Sequence, residues 1–212
     1  MRLFLSSYKI GDHGDKLHQL VGENKKVAMI INAQDYKIPA ERKESSDKEK
    51  ADLVRAGFEP FEVDLRDFFD SPIQVEDLKG AGLIWVRGGN VFVLRMAMLL
   101  SGFDSLLVDS LQKELFAYGG YSAAGCVLSP SLIGYDIVDD PTMTKRAYNL
   151  EPNYSGLSVI NYTFEPHYKS EHPESADIDK EIEKLDKLGL PYRTLRDGQA
   201  IIVDGDKEEL VG

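Results

Sequence analysis

At 212 residues, 42% hydrophobic and 29% charged, the chain has the make-up of a globular protein with one sizeable core, and it is short for two. A net charge of −11, with no basic stretch to neutralise phosphates, argues against nucleic-acid and anionic-membrane partners. The single cysteine, Cys126, excludes an intrachain disulfide framework and fits a reducing cytosol, and no apolar run approaches the ~18 residues of a membrane span. A cytoplasmic protein with a single domain over residues 1–212 is expected. Its oligomeric state is open, a homo-oligomer being among the alternatives.

Apolar runs alternate with helical patterns along the chain. Residues 1–7 read as a first strand, too short in apolar length for a signal peptide. Residues 27–31 form a near-continuous apolar run of the kind buried in parallel sheets. The charged stretch 40–56 reads as an exposed helix stopped by Gly57, and 58–63 as a third strand. A short helix is predicted over 71–79 and a fourth strand over 82–86, which breaks at Arg87-Gly88-Gly89-Asn90. Helices over 91–100 and 104–114 follow, then a strand beginning at 115–118 and a helix through 126–128. Residues 157–164 read as a strand and 177–188 as a helix ended by Gly189. Strands over 192–195 and 200–203 are predicted to form a terminal hairpin around Asp197-Gly198, a strong turn signal. The alternation predicts an α/β fold, a three-layer α/β/α sandwich with a mostly parallel sheet, and places functional residues at the carboxyl ends of strands.

Two glycine-rich breaks fall at such ends. In Gly119-Gly120-Tyr121-Ser122-Ala123-Ala124-Gly125, a serine is squeezed between a strand and a helix by small residues, the build of a nucleophile elbow. The serine then sits at a helix N-terminus, where free N–H groups can stabilise an oxyanion. The usual pattern has glycine two residues after the serine, and Ala124 stands there instead. Ser122 needs a base. His167 follows a predicted strand and sits behind Pro166, which restricts the backbone of Glu165. The carboxylate that would orient the imidazole is open among Asp136, Asp139, Asp140 and Glu165. Ala123 is one candidate oxyanion donor, and Gly88-Gly89 supplies the other. The same break also reads as a helix start with Asn90 as its cap. His167 and His172, with Glu171 between them, lack a nearby third ligand, so no metal is expected, and no cofactor either.

The segments Arg87-Gly88-Gly89-Asn90-Val91-Phe92, Gly120-Tyr121-Ser122-Ala123-Ala124-Gly125 and Glu165-Pro166-His167-Tyr168, in this order and spacing, resemble the peptidase E family of serine peptidases. The resemblance runs from the first strand to residues 195–200. It implies a class I glutamine amidotransferase-like fold, a Ser-His-Asp/Glu mechanism and small peptide substrates, of the Asp-X type in the best-known members. Carried over, it makes Ser122 the nucleophile, His167 the base, and Gly89 and Ala123 the oxyanion donors. For the acid it points to Asp136, with Asp139 and Asp140 as alternatives. The arginine that Asp-specific members carry in the loop after the elbow helix has no counterpart in residues 129–135; Lys145 or Arg146 could substitute. The alternatives are another amide or isopeptide hydrolase on the same machinery, and a weakly catalytic ligand-binding relative.

Overall fold

The computed structural model describes residues 1–212. The first half builds five strands, β1 (Arg2–Ser6), β2 (Lys26–Ile30), β3 (Glu59–Glu62), β4 (Leu83–Val86) and β5 (Ala117–Tyr121). The helices α1 (Gly14–Val21), α2 (Pro39–Arg55), α3 (Val91–Ser101) and α4 (Phe103–Gln112) lie between them. After β5 come α5 (Ala123–Cys126), α6 (Met143–Tyr148), β6 (Thr163–Glu165), α7 (Ser175–Leu188), β7 (Tyr192–Thr194), β8 (Ala200–Asp204) and β9 (Lys207–Val211).

Seven strands form one sheet in the order β3-β2-β4-β5-β1-β8-β9. The first five are parallel; β8 and β9 add on antiparallel at one edge. Alternate residues of each buried strand serve opposite faces. Leu3 and Leu5 of β1, with Ala28 and Ile30 of β2, join one core with α3 and α4. Phe4, Val27 and Met29 join the other, with Leu17 and Leu20 of α1 and Leu53 of α2. Both faces are therefore covered by helices, which is why the strands read as unbroken apolar runs, and the sandwich has three layers. No single helix is long and apolar enough to cross a membrane.

Four expectations are corrected. First, the helix expected to be exposed, α2, is half sunk. Its Glu49 is buried and accepts hydrogen bonds from Trp85 Nε1 at 2.7 Å and Tyr121 Oη at 2.8 Å. Its Arg42 is pinned by Asp35, Glu62 and Asp64. Satisfied polar groups let a charged helix pack inward. Second, the short helix over 71–79 is a single 3₁₀ turn, Val75–Leu78. Third, of residues 157–164 only the end is strand; the rest runs alongside the segment after α5, with Leu157 N–H donating to Val127 O and Val159 N–H to Leu128 O. Fourth, β7 and β8 do not form a hairpin. β7 pairs in parallel with β6 in a separate two-stranded sheet, and β8 pairs antiparallel with β1. The Asp197-Gly198 turn carries the chain from one sheet to the other, and the terminal hairpin is β8–β9, turning at Gly205.

Candidate active site

β5 ends in the centre of the sheet, and Ser122 sits between it and α5 with φ 52° and ψ −116°. For a residue with a Cβ this conformation costs about 1–3 kcal/mol, and such strain gathers at functional turns. Small residues make the turn fit. A Cβ on Gly120 would lie 2.5 Å from Cβ of Ala124 and 2.2 Å from Val86 O, and one on Gly125 would lie 2.5 Å from the Phe164 ring. Ala124 is thus accommodated by the glycine at 120, while Gly125 lets β6 pack against the elbow. The turn is tied down by Ser122 N–H donating to Ser6 O at 3.2 Å.

β6 and β7 lie in register, Glu165 opposite Thr194, so the residues just beyond both carboxyl ends come together. His167, buried and at φ 61°, meets Asp197 there: its Nδ1 lies 2.7 Å from Asp197 Oδ1. Buried Ser7, just past β1, ties the two. It accepts from the His167 N–H at 2.8 Å and donates to Asp197 Oδ1 at 2.7 Å. Asp197 N–H is held in turn by Ser170 Oγ at 2.8 Å. With Nδ1 committed, Nε2 is the ring nitrogen free to accept a proton. Burial holds the His167 pKa below its ordinary value and the neighbouring His172 adds to this, against the pull of Asp197 and Glu174, so the ring is neutral and basic at neutral pH.

None of the four acids read from the sequence bonds this imidazole. Asp136 is paired with Lys184 of α7 at 2.8 Å, partly exposed, and accepts from the Gly134 N–H. Asp139 accepts from the N–H of Val91 at the start of α3 at 2.7 Å, and burial pushes its pKa up to about 7. Asp140 bonds Thr142. Glu165, the last residue of β6, is fully buried against Glu181 of α7, while His167 two residues on has left the strand at φ 61°. The signal that could have found Asp197 is an acid just past a short strand that pairs beside the histidine's strand.

The buried carboxyls of Glu165 and Glu181 receive no donor from the rest of the protein and face each other, where they cannot both be charged and a shared proton would satisfy them. Burial raises both pKa values. A carboxyl with a raised folded pKa contributes stability that is complete below its unfolded value near 4.3 and is lost as pH rises through the folded one. Glu181→Gln, which keeps a donor without a titrating proton, is expected to flatten the decline in Tm between about pH 5 and pH 8 relative to wild type. Parallel Tm curves for the two proteins would contradict a shared proton.

Ser122 and His167 line one cavity of about 490 Å³, together with Gly88, Gly89, Tyr36, Lys37, Arg87 and Glu174. The N–H groups of Gly89 and Ala123 donate to nothing in the protein. Asn90 caps α3, accepting from the Val93 N–H at 3.0 Å, so the glycine break both starts a helix and borders the cavity. The wall is electrically divided. Lys9 is neutralised by Asp52 and Lys48 by Glu44, while Lys37 has no ion partner and its pKa is lowered by burial and by Arg87. Glu174, rather than Glu171, is the acid beside the histidines, its Oε2 lying 4.0 Å from His167 Nε2 and 3.8 Å from His172 Nδ1. His167, His172 and Glu174 place three ligand atoms within 4.8 Å of one another. The two rings stack at 3.7 Å and 9°, however, so their in-plane lone pairs run side by side, and a chelate needs one ring to turn.

Comparison with known proteins decides the family. The profile of peptidase family S51 matches residues 9–211. The chain belongs to peptidase family S51. This S51 protein is accordingly a serine-type peptidase. It is 28% identical over 221 residues to a probable alpha-aspartyl dipeptidase of Drosophila melanogaster, spanning 99% of this chain and 85% of that one. It is 27% identical over 164 residues to a peptidase E of Streptomyces coelicolor, spanning 75% and 64% of the two chains. A solved candidate peptidase E from Listeria monocytogenes shares the fold of the S51 chain at TM-score 0.73 and 23% identity, covering 99% of this chain and 97% of that one.

Proposed function

We propose that this S51 peptidase hydrolyses short peptides through Ser122, His167 and Asp197. The observation that carries the reading is the meeting, on one cavity wall, of a strained serine, an imidazole oriented by a carboxylate, and two unpartnered amides. Ser122 Oγ attacks the scissile carbonyl while His167 Nε2 takes its proton, and Asp197 stabilises the imidazolium that forms. The oxyanion is held by the N–H groups of Gly89 and Ala123. The imidazolium then protonates the leaving amine, and a water activated by His167 releases the acyl group from Ser122. Asp197 takes the part that the resemblance gave to Asp136.

The charge on the cavity wall favours a peptide with an acidic first residue. Lys37 and Arg87 are the cations facing the cavity without a full carboxylate partner, and they suit a substrate carboxylate in place of the arginine missing from residues 129–135. Lys145 is engaged by Glu151, and neither it nor Arg146 lines the cavity. Glu174 accepts no hydrogen bond from the protein and suits the free ammonium of such a peptide. The name of the Drosophila relative supports an Asp-X dipeptidase, and the buried thiol of Cys126 agrees with work in a reducing cytoplasm.

The test is a panel of Asp-X, Glu-X and neutral dipeptides, free and N-acetylated, followed by mass spectrometry. Cleavage of free Asp-X over neutral and acetylated peptides is expected. Cleavage of neutral peptides alone would revise the specificity, and no cleavage of any member would shift the reading to another amide or to a ligand-binding role.

A further inference from the structure

The serine half of the oxyanion hole is fixed by the elbow, but the Gly88–Gly89 peptide lies in a glycine turn and needs something to aim it. In a trans peptide the carbonyl and the N–H point in opposite directions, so whatever holds the Gly88 carbonyl sets the direction of the Gly89 N–H. Two donors hold that carbonyl: Gln34 Nε2 at 2.7 Å and an Arg87 guanidinium nitrogen at 2.8 Å. Both donors line the same cavity as Gly88 and Gly89, and the Gly89 N–H opposite that carbonyl is left without a partner.

We propose that Gln34 is a positioning residue of the oxyanion hole, acting through the Gly88–Gly89 peptide; this rests on the serine mechanism above. Gln34 closes the 3₁₀ turn Asn32–Gln34 just past the carboxyl end of β2, beside β4, and is buried. The fit with the glycine is mutual. A Cβ on Gly89 would lie 2.1 Å from Gln34 Nε2 and 2.6 Å from Ala33 O, so the clamp occupies the place of the missing side chain. Asn90 N–H donating to Ala33 O at 3.0 Å ties the far side of the loop to the same turn.

The hydrogen bonding of Gln34 also points to an aiming role. Its Oε1 is buried with no partner, while Nε2 serves this one carbonyl. An unpaired buried acceptor is a poor exchange for stability, and an apolar side chain of the same shape would pack there without that loss. Reversing the amide would set Oε1 against the Gly88 oxygen, so the orientation is dictated. A donor on the carbonyl further polarises the peptide and strengthens its N–H as a donor to developing negative charge.

The test is Gln34→Met, similar in volume and without a donor, with Gln34→Glu as the variant that keeps the shape. Both are expected to lower kcat about 10–100-fold with KM little changed, less than the loss of a whole oxyanion donor because Arg87 remains. A peptide boronate that forms a tetrahedral adduct on Ser122 should lose affinity in proportion, and product affinity should hold. Retention of kcat within about twofold in either folded variant, or equal losses for product and boronate, would overturn the clamp while leaving the serine reading intact. A wild-type protein that takes up neither boronate nor a fluorophosphonate at Ser122 would overturn both.

Discussion

Ser122→Ala is expected to lower turnover on the order of 10⁴–10⁶-fold, with little change in melting temperature. The loss is large because Ser122 is the one serine or threonine that lines the cavity with Gly89 and His167. The stability change is small because Ser122 donates no side-chain hydrogen bond in the resting protein, so its truncation leaves nothing unpaired. Ser122→Gly separates strain from chemistry. It is equally inactive, but at φ 52° a glycine carries no Cβ penalty, so it should gain part of the 1–3 kcal/mol of strain, about 2–4 °C in Tm for each kcal/mol. Undiminished hydrolysis by purified Ser122→Ala would sink the mechanism.

The second large effect is at Asp197. Asp197→Asn preserves shape and still accepts from Ser7, but its amide offers His167 Nδ1 a donor. The ring must then carry its proton on Nε2, the nitrogen that should receive one. A fall in kcat of about 10²–10⁴-fold with KM nearly constant is expected. Asp136→Asn, which loses only a partly exposed pairing with Lys184, should stay within about twofold of wild type. The opposite ranking, with Asp136→Asn the crippled variant, would return the acid to the loop after the elbow. In wild type the acidic limb of kcat/KM should fall below the ordinary histidine range, because burial and His172 hold the His167 pKa down.

Those two acids show what a sequence discloses here. The elbow was legible because its requirements are local: Gly120, Ala124 and Gly125 must be small for Ser122 to stand where it does. The parallel sheet was legible because strands covered on both faces are apolar throughout. His167 could be read from its place after a strand. Asp197 was hidden by an honest local signal, Asp-Gly, which does make a turn, but one between two sheets. Its bond to His167 depends on the pairing of β6 with β7, and its bond to Ser7 spans nearly the whole chain. The inward face of α2 was hidden likewise, since Glu49 reads as a solvent charge until Trp85 and Tyr121 are placed over it.

The position of Ser7 has a consequence for when the enzyme becomes an enzyme. The proposed base and its orienting acid are both held by Ser7, just past β1, while the acid belongs to a turn 190 residues further along the chain. The elbow can form early, from β5 and its neighbours alone. A nascent or clipped chain lacking residues after 196 would therefore present a serine with no oriented base. With the proposed triad, hydrolytic competence waits until the segment after β1 and the turn between β7 and β8 have met, so the order of folding itself delays proteolysis.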